Sequence, residues 1–224
     1  MKRINIALDG PVGAGKSTVA DAVAEKLGIL HLDTGAMYRA LGVYLLDQGV
    51  DPDDRKAAEA AAAQVAIRVS HEKDGQHTYV EEEDVTGRIR TEAVSRAASR
   101  IATYPGVRRA MVAKQQALAA EHDMLVDGRD IGTRVLPDAT LKIYLTASDE
   151  VRAQRRFLQM QEKGETPVFE EVLEDLRKRD YQDMHRETDP LMIADGAIVV
   201  DTSHMTFEES VDEIVRMARR EYGV

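Results

Sequence analysis

Residues 4–18 read Ile-Asn-Ile-Ala-Leu-Asp-Gly-Pro-Val-Gly-Ala-Gly-Lys-Ser-Thr, and this stretch decides the fold. An apolar run ends in Asp9, a glycine-rich turn follows, and helical spacing begins at Ser17. Through Gly10, Pro11, Val12, Gly13, Ala14, Gly15, Lys16, Ser17 and Thr18 the turn fits the pattern Gly-x4-Gly-Lys-Ser/Thr. Glycines let a backbone close around phosphate oxygens, and a helix N-terminus adds unpaired N–H groups and the positive end of a dipole. In that setting Lys16 neutralises charge between the β- and γ-phosphates of a nucleotide, and the Ser17 hydroxyl holds Mg²⁺. A dinucleotide fingerprint fails, because Thr18 stands where a third glycine or an alanine is required.

Outward from this loop, short runs rich in Ile, Val and Leu at 4–9, 29–33, 124–127, 141–146 and 197–201 alternate with helical patterns at 17–27, 36–47, 94–121, 150–162 and 169–186. A last amphipathic helix is expected at 207–222. That alternation predicts an α/β fold, a five-stranded parallel sheet flanked by helices, with ligands at the carboxyl ends of its strands. One stretch breaks the rhythm. An Ala-rich helix at 57–66 leads into strands at 67–71 and 77–81 separated by Lys73-Asp74-Gly75-Gln76, a hairpin signal, so a small antiparallel insertion is expected at about 66–90.

The 224 residues carry 30 Lys+Arg against 40 Asp+Glu, a net charge of −10, which argues against binding nucleic acid polymers or anionic bilayers through the overall field. Hydrophobic residues make up 43% and charged residues 31%, the balance of a globular chain. The absence of cysteine excludes disulfide frameworks, thiolate metal sites and cysteine nucleophiles. Asn5 is the only asparagine, so the guanine-reading Asn-Lys-x-Asp motif and the protein-kinase catalytic-loop Asn are missing. No signal peptide and no membrane-spanning run is visible, and a cytoplasmic monomer is expected.

Several further segments carry chemistry. After the second strand, Asp33, Thr34 and Gly35 form a helix cap that presents Tyr38 and Arg39. Between Thr86 and Arg109 six arginines face the single acid Glu92, a local reversal of sign suited to an anionic second substrate. The third strand delivers Asp127, which can orient Mg²⁺ through water, and Arg129, which can reach a phosphate. Arg152, Arg155 and Arg156 share one helical face, and Arg179, Asp183 and Arg186 share another. Between these two faces, Gly164 and Pro167 mark an elbow, so the two helices read as a lid.

The motifs IALDGPVGAGKST (6–18), LDTGAMYRA (32–40), EDVTGRIRTEAVS (83–95), VDGRDIGT (126–133), LQMQEKGE (158–165), KRDYQDMHR (178–186) and LMIADGAIVVDTS (191–203) occur in order. With them the chain resembles the bacterial cytidylate (CMP/dCMP) kinases of the nucleoside monophosphate kinase group. The resemblance implies a single kinase domain with a P-loop nucleoside monophosphate kinase fold. Its core would span about 1–47, 110–150 and 190–224, its monophosphate-binding region 48–109 and its helical lid 151–189. It implies transfer of a phosphoryl group from Mg²⁺-ATP to CMP or dCMP. Gly10 to Thr18 would hold the ATP phosphates. Arg39 and Arg129 would take the monophosphate, with Asp33, Thr34, Tyr38 and Asp127 in the same acceptor site. Ser99, Arg108 and Asp130 would read cytosine, Arg179 and Asp183 the sugar, and Arg186 would lie beside the nucleotide. Arg152, Arg155 and Arg156 would work with Lys16 and Arg129 on the travelling phosphoryl group. Thr34 stands where relatives carry Ser, which leaves the ribose or deoxyribose preference open. Two other classes stay in play: another small-molecule P-loop kinase, acting on UMP or a deoxynucleoside, and a non-enzymatic ATP-binding module.

Overall fold

The computed structural model describes residues 3–72 and 75–223. Its first strand, β1 (Asn5–Asp9), is buried from Ile6 onward, as a strand covered on both faces must be. The chain then turns through the glycine loop into α1 (Lys16–Leu27) and passes to β2 (Leu30–Asp33) and α2 (Thr34–Asp47). Next come α3 (Arg55–Gln64), β3 (Ile67–Glu72), β4 (Gly75–Val80), β5 (Glu83–Asp84), α4 (Glu92–Ile101) and α5 (Pro105–Glu121). The chain ends with β6 (Met124–Gly128), a π-helical turn (Ile131–Val135), β7 (Leu141–Thr146), α6 (Asp149–Glu162), α7 (Phe169–His185), β8 (Ile198–Asp201) and α8 (Phe207–Tyr222). The main sheet has the order β2-β6-β1-β7-β8, the five-stranded sheet expected, and β3, β4 and β5 form a separate small sheet. No helix among the described residues is long and apolar enough to cross a membrane.

Contacts divide the chain into two compact units, Met1–Ile29 with Asp123–Val224, and Leu30–His122. In the first, β1 pairs in parallel with β6 and with β7, and β7 with β8. Ile6, Leu8, Leu125, Leu141, Ile143 and Leu145 meet Val19 and Val23 of α1 and Val211 and Ile214 of α8 in one core. A capping box at Thr206 and Glu209 starts α8. A smaller cluster, Ala153, Val172 and Leu176 with Phe157 and Phe169 against it, holds α6 to α7.

In the second unit α2 packs on α4 and α3 on α5, and β3 and β4 form the antiparallel hairpin in register from Ile67↔Val80 to Glu72↔Gly75. Lys73 and Asp74 of the expected turn lie outside the described residues, whereas Gln76 belongs to β4 and not to the turn. The helix expected over 94–121 is two helices. Pro105 is the cause: it has no N–H to continue α4, disfavours helical backbone at Tyr104, and suits the first position of a new helix. The short β5 and the π-helical turn have no counterpart in the sequence reading.

Candidate active site

In the first unit the glycine loop leaves the carboxyl end of β1, with β6 on one side and β7 on the other. Gly10 passes so close to β7 that a Cβ would lie 2.0 Å from the Leu145 carbonyl oxygen. Lys16 opens α1, is 7% exposed, and donates from Nζ to the Pro11 carbonyl at 2.9 Å. Burial first, and then the positive charge of Arg129, lower its pKa to about 7 against the pull of Asp127, Asp9 and Asp183. Ser17 Oγ donates to Asp127 Oδ2 at 2.8 Å. A hydroxyl beside a carboxylate suits a hard divalent cation. The described residues contain no group of three or more His, Cys, Asp or Glu that could hold a metal ion.

Four of the predicted acceptor residues form one chain of contacts. Arg129 donates from Nε to Asp183 Oδ2 at 2.7 Å, Asp183 lies 3.9 Å from Arg186 Nη1, and Arg186 Nη2 reaches Asp130 Oδ1 at 3.3 Å. Burial works against the charge of Arg129, yet Asp183, Asp127 and Asp180 together outweigh it and raise the basicity. For Arg179 the balance goes the other way: lost hydration, then the positive charge of Arg129, lower it, with Arg156 adding and Asp183 opposing. Arg129, Arg179 and Arg156 are thus neighbours in one cationic field.

The α6 arginines separate by depth. Arg152 is buried and donates to Ala147 O, Val12 O, Asp180 and Asp149. Arg155 is half-buried and reaches the Thr202 carbonyl at 3.0 Å, the Thr202 hydroxyl at 3.2 Å and the Ala14 carbonyl at 3.4 Å. Arg156 is exposed. Two acids that sequence reasoning passed over complete this region. Asp9, 3% exposed, accepts from the N–H groups of Ile131 and Gly132 at 2.7 and 2.8 Å, and so anchors the turn that follows Asp130. Asp180, 7% exposed, accepts the Val12 N–H at 2.9 Å. Their signal was an acid at a buried position, Asp9 closing an apolar strand and Asp180 continuing the Val172, Leu176 spacing on α7.

In the second unit Asp33 caps α2 by accepting the Ala36 N–H at 3.0 Å and pairs with Arg39 Nη2 at 2.6 Å. Gln76 of β4 receives the Asp33 N–H at 2.8 Å, which ties the insertion to the start of α2. Arg39 Nε is buried with no hydrogen-bond partner among the described residues, a donor suited to an anion. Thr34 is buried at the first helical position. Arg108, 1% exposed, sits 5.9 Å from the Tyr38 ring centre and donates to the Ala102 carbonyl at 3.3 Å. Ser99 is exposed on α4 and makes none of these contacts.

A phosphate loop with a buried lysine, on a parallel sheet and beside a field of arginines, defines a class: the P-loop phosphotransferases. Residues 6–220 match the cytidylate kinase family. A cytidylate kinase of Caldicellulosiruptor bescii is 44% identical over 217 residues, covering 97% of this chain and 96% of that protein. One of Bacillus licheniformis is 45% identical, covering 96% of each. An uncharacterized protein of Eubacterium ventriosum, 13% identical, shares the fold with a TM-score of 0.53 over 98% of this chain and 99% of its own. The chain belongs to the cytidylate kinase family and is a nucleoside monophosphate kinase.

Proposed function

We propose that the protein transfers the γ-phosphoryl group of ATP to CMP or dCMP, giving ADP and CDP or dCDP. The observation that carries this is the match of residues 6–220 to the cytidylate kinase family, on a chain whose phosphate loop buries Lys16 and sets Ser17 Oγ against Asp127 Oδ2 at 2.8 Å. An acceptor phosphate oxygen attacks the γ-phosphorus in line, the bond from phosphorus to the β,γ-bridging oxygen breaks, and no covalent enzyme intermediate or general base is needed.

The loop that opens with Gly10, Pro11 and Val12 wraps the donor phosphates through the amides of Gly13, Ala14, Gly15, Ser17 and Thr18, and Lys16 spans the β- and γ-positions. Mg²⁺ brought by ATP would meet Ser17, with Asp127 behind it, and would screen the negative charge of the phosphates. Arg39 and Arg129 hold the acceptor phosphate, with Asp33, Thr34, Tyr38 and Asp127 around them. Arg179 and Asp183 hold the sugar, and Arg186 lies beside the nucleotide. Arg155 and Arg156 neutralise charge on the travelling group. Cytosine offers an amino donor and a ring-nitrogen acceptor, and uracil reverses both. Asp130 accepts and Arg108 donates, which favours cytosine, with Ser99 assisting. Helices α6 and α7 act as the lid, closing to exclude water. All these groups come from one chain, so we read the working form as a monomer, in the cytoplasm where ATP and pyrimidine monophosphates are held.

Chromatography of a reaction containing ATP and CMP tests this reading. ADP and CDP should appear in equal amounts, and Lys16→Ala should slow their formation by at least about 100-fold with the circular dichroism unchanged. ADP without CDP, or undiminished turnover in the variant, would contradict it.

A further inference from the structure

Val12, in the phosphate loop, is held on both sides of its peptide chain by charged side chains from the lid helices. Its N–H goes to Asp180 Oδ1 of α7 at 2.9 Å, and its carbonyl accepts from Arg152 Nη1 of α6 at 2.6 Å. The two side chains also pair, Arg152 Nη1 with Asp180 Oδ2 at 2.5 Å, which closes a ring of hydrogen bonds around one loop residue. Both are buried, Arg152 at 4% and Asp180 at 7% exposure. Arg152 Nε and Nη2 are committed to the Ala147 carbonyl and to Asp149 Oδ1, so at least four of its five N–H donors are spent on protein. Arg177 of α7 in turn donates to Asp149 Oδ2 at 2.9 Å. Gly13, with φ +75, lies directly under the helices: a Cβ there would be 3.2 Å from Leu176 Cδ1 and 3.3 Å from Arg152 Cβ.

An arginine used in this way is poorly placed to follow a moving phosphoryl group. A carboxylate on a loop N–H also removes that N–H from phosphate binding, leaving the donor phosphates to the amides beyond Val12. We infer that Arg152 and Asp180 are positioning residues, a clasp that fixes the phosphate loop at Val12 to the root of the α6–α7 hairpin, so that loop shape and lid position are set together. This assignment rests on the reading of residues 10–18 as the donor-phosphate site, and it moves Arg152 from the travelling group to the support of the loop. Because the clasp touches the donor loop, its loss should weaken the donor nucleotide and spare the acceptor.

The test uses the full chain and the variants Asp180→Asn, Asp180→Ala, Arg152→Met and Asp180→Asn with Arg152→Met. Affinity for ADP carrying a methylanthraniloyl fluorophore is measured without acceptor, alongside the KM values for ATP and CMP. Asp180→Ala should weaken ADP about tenfold and raise the ATP KM in step, while the CMP KM stays within about twofold. Asp180→Asn, which keeps an acceptor for the Val12 N–H, should restore part of the loss. The double variant should bind ADP about as well as the worse of its two single variants, because the two groups act as one unit. Unchanged ADP affinity, a parallel rise in both KM values, or additive losses in the double variant would overturn the clasp. Should Asp180→Ala fail to fold, the near-isosteric Asp180→Asn carries the same readouts. Failure to phosphorylate CMP would sink the functional reading and leave the ADP result to decide the clasp by itself.

Discussion

Arginine is the residue on which the proposed specificity turns, and its environments differ sharply from one position to the next. Arg108 is enclosed beside Tyr38, Arg39 keeps a buried Nε donor unused, and Arg156 stands in the open. A charge-assisted hydrogen bond contributes roughly 1.5–3 kcal/mol, and removing one raises a Michaelis constant by about ten- to a hundredfold. Arg108→Ala should therefore raise the CMP KM by about tenfold or more while moving the ATP KM far less. Steady-state kinetics with each substrate varied checks this, and an unchanged CMP KM would remove Arg108 from the base site. Residue spacing made the arginines visible but not their depth. The i, i+3, i+4 pattern of Arg152, Arg155 and Arg156 fixes a shared helix face, whereas the burial of Arg152 depends on the hairpin partner α7 and on the loop beneath, which no local spacing encodes.

At the level of elements, the loop after β6 is held by β1, the strand beside it in the sheet. Asp9 at the end of β1 receives the first two N–H groups of the π-helical turn, and burial, opposed by those N–H groups and by Lys16 and aided by Asp130, raises its pKa to about 6. The native state thus binds a proton more tightly than the unfolded chain, whose Asp titrates near 3.8. Stability from this group is fullest at low pH and falls as pH rises from about 4 through 6, by about 3 kcal/mol. Urea unfolding should show wild type losing stability of that order relative to Asp9→Asn as pH rises across this window, and a difference that stays flat with pH would contradict the burial argument. The turn itself was not legible in advance, since its geometry is imposed by a tertiary acceptor and not by propensity. The break at Pro105 was missed in the sequence because the helical periodicity on both sides of it concealed it.

For the molecule as a whole, the alternation of apolar runs and helical spacings was enough to specify five parallel strands, because strands buried on both faces leave continuous apolar signatures. The hairpin was marked by Gly75 and the β-branched runs beside it, while the two-residue β5 is too short to leave a pattern. The family was readable in the order of its motifs. What stayed hidden were the buried acids Asp9 and Asp180, which accept backbone N–H groups from distant loops. An overall charge of −10 coexists with the cationic field of Arg129, Arg179 and Arg156, so affinity for an anionic acceptor has to be local. The choice of acceptor is accordingly the property that depends on most of these groups at once. A coupled assay of ADP release, run with CMP, dCMP, UMP, AMP and GMP at equal concentration, measures it directly. CMP and dCMP should turn over at least about tenfold faster than the other three, as expected when an acceptor mismatches hydrogen-bonding groups built for cytosine. Equal rates across the panel, or a preference for a purine or for UMP, would contradict the assignment.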